Sequence, residues 1–403
     1  MKRFAFSFLV LFVFTCVHSQ TPSTPQKILA DPSTALGGTS SQLLDSVEFI
    51  PLETSKASLF GAIWKMEVMD DYFVIGDQDT KAILVFQKDG KFYSRIDKTV
   101  LKGDPGLNFT VDNATKLIIT RLANSPRTLY WIDLKGHIVK ELSLNDILFS
   151  VGSLGDSLVL ISPWTYSEKP PRSDSIDYAI QYLRNDRIVN RLLPVPVKLF
   201  QVHMTTSLPR PNFFYSSGDL NKLVFIGENY DYTVRILNKS GIWQTYRLVF
   251  PQDLSLPADF LTNSTYREKE DQYLKENMKK IIALRNVYFT GDHLCFETLN
   301  STFFNRDRYL YCNLKTGNLL SLERITSDSS TCFLPLLSQP GGGIVGCSGK
   351  SLYSAVTSME LFQALAANKE RHPNYPSTLQ NYFATSTQQS NLVLIKMKFK
   401  ENK

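Results

Sequence analysis

The sequence has no second long apolar run, no strong excess of one charge and no recognisable catalytic motif, and each absence removes a class of protein. Beyond the first twenty residues nothing approaches the ~20 consecutive apolar residues that a membrane-spanning helix needs. Lys and Arg number 44 against 38 Asp and Glu, a net charge of +6 of mixed sign, which argues against a nucleic-acid binder. His137, His203, His293 and His372 stand too far apart for a metal-binding pair such as H-x-x-x-H. There is no Gly-x-Ser-x-Gly elbow, P-loop or dinucleotide fingerprint. Gly341-Gly342-Gly343 follows Pro340 and reads as a turn.

What is present starts with Met1-Lys2-Arg3 and an apolar run from Phe4 to Val17, the pattern of a secretory signal. Val17 and Ser19 predict cleavage between Ser19 and Gln20. Cys16 offers a lipid anchor as the alternative, although Phe14 and Thr15 fit that motif poorly. The expected organisation is a signal peptide over 1–19, a flexible Ser/Thr/Pro/Gly-rich leader over 20–40, and one folded unit over 41–403. Export places the protein in the periplasm or on the cell surface.

The folded part repeats. Segments 63–69, 72–77, 82–87 and 91–97 are rich in β-branched and aromatic residues and are separated by turn residues such as Asp70-Asp71 and Lys88-Asp89-Gly90. The hairpin formed by the last two recurs at 129–142, 179–193, 233–250 and 309–325, which predicts five four-stranded units. A sixth unit is split. Segments 332–337, 344–348 and 391–399 supply three strands, and 47–52 at the other end of the chain supplies the fourth. The prediction is an all-β, six-bladed β-propeller of four-stranded antiparallel blades, closed by an N-terminal strand in the last blade so that no sheet edge is left open at the seam.

The runs Val47-Glu48-Phe49-Ile50-Pro51-Leu52-Glu53-Thr54, Asp71-Tyr72-Phe73-Val74-Ile75, Ile83-Leu84-Val85-Phe86 and Ser390-Asn391-Leu392-Val393-Leu394 resemble the six-bladed β-propeller family of exported proteins and lipoproteins from the Bacteroides group. Leu392 departs from the Asn-Pro that many relatives carry there. The resemblance implies blades and closure and brings no catalytic residue with it.

In a meander of four strands, alternate turns share a face. The a–b and c–d turns are short here, whereas the connections 163–176, 195–211, 251–279 and 349–390 are long and fall on the other face, which is therefore the expected working face. Two insertions are expected to be helical, one from a capping box at Thr265 to Glu268 and one starting at Thr357 to Glu360. Candidate ligand-binding residues on that face are Trp164, Tyr166, Lys169 and Arg172 in one Pro-rich loop, Tyr273 in a helical insertion, and Asp77 and Asp79 on the blade 1 connection. Asp at a turn more commonly bonds its own backbone. The expected inner strands, 63–69, 107–111, 148–152, 212–216, 284–289 and 332–337, carry Glu67, Asn108, Asn212 and Asn286. One acid makes a thin set of metal ligands.

The function expected from these features is non-enzymatic: a monomeric envelope propeller that engages a glycan, peptide or protein partner through its long-loop face, with no catalytic residue, metal or cofactor. The alternative is a metal-assisted hydrolase or lyase with its site at the axial channel. The cysteines at 295, 312, 332 and 347 are candidates for two disulfides, Cys295–Cys312 and Cys332–Cys347, because each pair straddles the turn between two expected strands.

Overall fold

The structure is a computed structural model that describes residues 24–161, 176–196, 212–227, 230–260, 263, 265–266, 269–302, 307–338 and 343–401. An N-terminal arm carries β1 (Gln26–Leu29), β2 (Leu36–Thr39) and β3 (Leu44–Pro51). Blade 1 follows as β4 (Ile63–Val68), β5 (Tyr72–Asp77), β6 (Ala82–Gln87) and β7 (Phe92–Ile96). Blade 2 holds β8 (Thr110–Asp112), β9 (Leu117–Leu122), β10 (Ser125–Ile132) and β11 (Ile138–Ser143), and blade 3 holds β12 (Ser150–Leu154), β13 (Ser157–Ile161), β14 (Ile176–Arg184) and β15 (Arg187–Pro196). Blade 4 is β16 (Phe214–Ser216), β17 (Leu223–Ile226), β18 (Thr233–Asn238) and β19 (Gly241–Val249), and blade 5 is β20 (Ile281–Phe289), β21 (His293–Asn300), β22 (Tyr309–Asn313) and β23 (Leu319–Thr326). Blade 6 takes β24 (Ile344–Ser348), β25 (Ser351–Val356) and β26 (Val393–Phe399) from the C-terminal part and β3 from the arm. The chain is a six-bladed β-propeller of four-stranded antiparallel blades.

The middle strands explain the order. A propeller packs blade on blade, so both faces of a middle strand are covered and a continuous apolar run is required. The run from Ala82 to Phe86 is buried throughout, whereas the outer strand β11 is exposed along most of its length. Each blade interface then has its own apolar cluster. Phe73 and Ile75 of blade 1 pack with Tyr353 and Leu394 of blade 6, and Val74 packs with Phe109 and Val111 of blade 2. Ile119 with Leu160 joins blades 2 and 3, and Tyr182 with Phe214 joins blades 3 and 4. The largest cluster joins blades 4, 5 and 6. Each fully buried side chain of this size contributes roughly 1.5–3 kcal/mol.

Closure follows the expected pairing. β3 runs antiparallel to β26 with Pro51 opposite Val393 and Leu44 opposite Phe399. The other strands of blade 6 differ from expectation. Residues 332–337 are not a strand, because a short 3-10 helix ends at Thr331 and Cys332 and Phe333 both adopt left-handed backbone angles. β24 is the inner strand, and β25 supplies a strand from within the expected long connection 349–390.

The stretch 24–39, expected as a flexible leader, is instead built into the sheets. β1 adds to the outer edge of blade 4 and β2 to that of blade 5, both in parallel, with Gln26 opposite Tyr246 and Leu36 opposite Leu320. Ile28, Ala30 and Ala35 are buried in the process. The alternation is short and broken by Pro32 and Gly37-Gly38, which hid it. Asp328 fixes the end of the arm, accepting from Ser40 Oγ at 2.8 Å, Ser41 N at 3.0 Å and Ser41 Oγ at 2.6 Å.

The insertion 357–392 holds two helices, Ser358–Ala367 and Ser377–Thr385, the second of which was not anticipated. The first has the expected capping box, with Thr357 Oγ1 accepting from Glu360 N and Glu360 Oε2 accepting from Thr357 N. Leu361, Leu379 and Tyr382 are buried against blades 5 and 6, while Ala366 is exposed. The other expected helix is shorter, Glu270–Glu276, and starts after Lys269 without a side-chain cap.

Neither expected cysteine pair is formed. All four described cysteines are free and buried. In blade 5 Leu294, not Cys295, lies opposite Cys312, so the two side chains project from opposite faces of the sheet. Cys332 is off the sheet altogether, its Sγ 3.4 Å from Asn374 O, while Cys347 Sγ lies 3.2 Å from Ser216 O.

Candidate functional site on the propeller axis

Inner-strand residues of blades 1, 4, 5 and 6, joined by residues of two further blade 5 segments, line a funnel of about 210 Å³. Blade 1 contributes Trp64, Lys65 and Glu67, blade 4 Asn212 and Tyr215, and blade 5 Arg285, Asn286, Glu297 and Arg308. Lys65 and Glu67 are two apart on one strand and so share a face. They pair at 3.1 Å, and Lys65 Nζ also donates to Phe109 O at 2.6 Å.

Blade 5 carries the more unusual geometry. A bulge interrupts β20 between Arg285 and Tyr288, and Asn286 sits in it at φ 45°. Asn tolerates the left-handed region better than most residues, and bulges re-aim side chains next to sites. Here the bulge turns Asn286 onto the neighbouring strand, where its Nδ2 donates to Glu297 Oε2 at 2.7 Å. Arg285 Nη2 donates to the other carboxylate oxygen at 3.1 Å. Glu297 is only 1% exposed, so its charge is held by these two donors rather than by water. The Nε of Arg285 and the Oδ1 of Asn212 are buried without a partner among the described residues.

Arg308 lies over the Tyr309 ring at 4.8 Å, with its Nε 3.7 Å from Glu323 Oε1. Burial raises the Glu323 carboxyl above its ordinary value, against the lowering effect of Arg308. Burial also raises the phenols of Tyr215, Tyr288 and Tyr309, so these walls stay neutral and protonated. The lining therefore has three cations against two carboxylates, each carboxylate already on a cation. Farther down, a hydrogen bond from Gly218 N to Phe289 O at 2.8 Å ties the inner strands of blades 4 and 5 together.

Of the residues expected from sequence, Glu67, Asn212 and Asn286 meet in this funnel. Asn108 lies beside it, 3.4 Å from Trp64 Nε1. Trp164, Tyr166, Lys169 and Arg172 fall outside the described residues. Tyr273 packs into an aromatic cluster with Phe260 and Tyr266. The buried carboxylate of Asp77 is occupied by the backbone N–H groups of Gly61, Ala62, Asp79 and Thr80, so it is a turn-former and not a free ligand; Asp79 is exposed. Lys65 and Arg285 lie on two of the expected inner strands, and as cations they carry no metal-ligand signal in the sequence. Glu297 was missed because it comes from a second strand.

A family model described as a domain of unknown function (DUF4934) matches residues 38–398. The chain belongs to this family. No curated protein matches it. A solved structure of a Bacteroides fragilis protein inferred to be exported is similar to this DUF4934 chain at TM-score 0.65 and 15% identity, covering 93% of this chain and 100% of that one. A member of the DUF4221 family from Bacteroides vulgatus aligns at TM-score 0.45 and 10% identity over 89% of this chain and 97% of that one. No helix among the described residues is long and apolar enough to cross a membrane.

Proposed function

We propose that this DUF4934 chain is a monomeric, non-enzymatic binding propeller of the cell envelope, of the kind exported by the Bacteroides group, and that its ligand enters the axial funnel from the long-loop face. The observation that carries this reading is the Arg285–Glu297–Asn286 arrangement, in which a half-exposed arginine and an amide on a strained bulge hold a buried carboxylate in the funnel wall. Strain at such a point suggests pre-organisation for a ligand rather than for the fold.

Binding is favoured over a metal-assisted hydrolase or lyase by the donor set. A metal at the axis would have to displace Lys65 from Glu67 and Arg285 from Glu297, and among the described residues no three His, Cys, Asp or Glu side chains converge. Export is supported by the signal-like first residues and by the Bacteroides fragilis neighbour. The test is to probe glycan and peptide arrays with the purified chain. Signals from peptides and neutral glycans should be lost with Arg285→Gln and kept with Lys91→Ala on the short-turn face. Signals that follow Lys91 instead, or a hydrolytic activity abolished by EDTA, would overturn the reading.

A further inference from the structure

Trp64 has a second neighbour. Beside the funnel, at the junction of blades 1, 2 and 3, it lines a depression of about 220 Å³ together with Gln78, Asn108, Arg121 and Leu148. Arg121 is near the end of β9, on rigid backbone. Its carbonyl accepts from Gly106 N at 2.8 Å, and Thr120 Oγ1 donates to Gly106 O at 2.7 Å.

The guanidinium of Arg121 makes no hydrogen bond and no ion pair to any described residue. This sets it apart from other half-buried arginines of the molecule. Arg95 has Asp97 at 3.0 Å, Arg235 has Asp231 at 3.3 Å, Arg285 has Glu297 at 3.1 Å and Arg324 has Asp307 at 2.6 Å. Burial also lowers the Arg121 pKa below its ordinary value, with no neighbouring acid to restore it. A partly desolvated cation without a counter-charge is a cost to the fold, and the group that relieves it is an anion from outside.

The rest of the lining narrows the anion. A guanidinium fork matches a carboxylate bidentately. Trp64 is 37% exposed, a flat apolar surface of the type that covers the C–H face of a sugar ring. Gln78 is exposed and makes no hydrogen bond to a described residue, and Asn108 has only bonds of 3.4 Å, so both amides are available to hydroxyls. The volume is below the roughly 300 Å³ at which sites for drug-sized ligands begin, so it takes one ring of a longer ligand.

We propose that this depression binds one uronic acid residue of an acidic glycan, with the carboxylate on Arg121, the ring on the Trp64 indole and the hydroxyls on the amides of Gln78 and Asn108. The inference goes beyond the axial reading, since it names a ligand class and places its charge on blades 1 to 3.

The experiment titrates the full chain with trigalacturonate and, separately, with its methyl ester, by calorimetry. The acid should bind at least about tenfold tighter than the ester, and added salt should weaken it. Arg121→Gln should remove that tenfold advantage without lowering the melting temperature, because no internal partner is lost. Arg285→Gln should leave trigalacturonate binding within about threefold. Equal binding of acid and ester overturns the proposal, as does a melting temperature several degrees lower in Arg121→Gln. A hexaglutamate peptide that binds where trigalacturonate does not also overturns it. If Arg285→Gln rather than Arg121→Gln removes trigalacturonate binding, this proposal fails and the axial reading stands.

Discussion

Asn286 offers a measurement in which backbone strain and a hydrogen bond are read separately. Its φ of 45° and its 2.7 Å bond to Glu297 are the two quantities. A hydrogen bond to a charged group contributes roughly 1.5–3 kcal/mol. A side chain with a plain Cβ in the left-handed region costs about 1–2 kcal/mol, which Asn partly escapes and Gly escapes entirely. Asn286→Gly therefore loses the bond, gains a little from relaxed strain, and costs about 0.5–1 kcal/mol in unfolded-chain entropy. Its expected destabilisation is about 2 kcal/mol. Asn286→Ala loses the bond and takes on the part of the strain that Asn escapes, for about 3 kcal/mol. Urea unfolding with unchanged slope measures both. The two variants should differ by roughly 1 kcal/mol in favour of Gly. Equal losses would refute the claim that the bulge stores strain. A loss under about 0.5 kcal/mol in both would refute the role of the Glu297 bond.

Three further outcomes are expected. Removing residues 24–39 should lower the melting temperature by a few degrees, since Ile28 alone contributes roughly 1.5–3 kcal/mol, whereas removing 24–54 should prevent cooperative unfolding altogether; calorimetry separates the two. Burial raises the Asp328 carboxyl, but hydrogen bonds from Ser330, Ser41 and Ser40 more than reverse this and leave it well below the ordinary range. With the folded value depressed, its stabilisation is present above the unfolded value near pH 4 and is lost as the pH falls below it, so acid titration of stability should be shallower in Asp328→Asn. The thiols at 295, 312, 332 and 347 should all titrate in the denatured, unreduced protein. In the folded protein at pH 8, Cys347, whose burial pushes it up to about 12, and Cys312, at about 11, should react very slowly; a fast native reaction at either would contradict their burial.

The blades and their closure were legible because they rest on local signals. A middle strand buried on both faces leaves an unbroken apolar run such as Ala82 to Phe86, and a tight turn leaves Gly90 or Gly136. Failure came where tertiary contact overrides the local pattern. Residues 332–337 look like a strand, yet Cys332 and Phe333 turn left-handed to feed the chain into the inner strand at Ile344. The arm looks unstructured because its strands borrow their partners from blades 4 and 5. Within the site, Glu67 and Asn286 were visible on their strands. The meaning of Asn286 was not, because the bulge that aims it at Glu297 exists only once β20 and β21 are paired. Arg121 has no mark in the sequence, since what distinguishes it is the lack of a partner among the described residues, which only packed neighbours can reveal.

The arm also sets an order of events. Gln26 waits for Tyr246, Leu36 for Leu320 and Pro51 for Val393, so the three strands of the arm, made first, acquire their partners one after another, and β3 waits longest. Blades 1 to 3 are contiguous in sequence and can form as local meanders, but the ring stays unlatched until β26 exists. Such distant pairings fold slowly and leave strand edges bare in the meantime. While the chain emerges N-terminus first, β3 is an unpaired strand whose eventual partner, β26, has not yet been made.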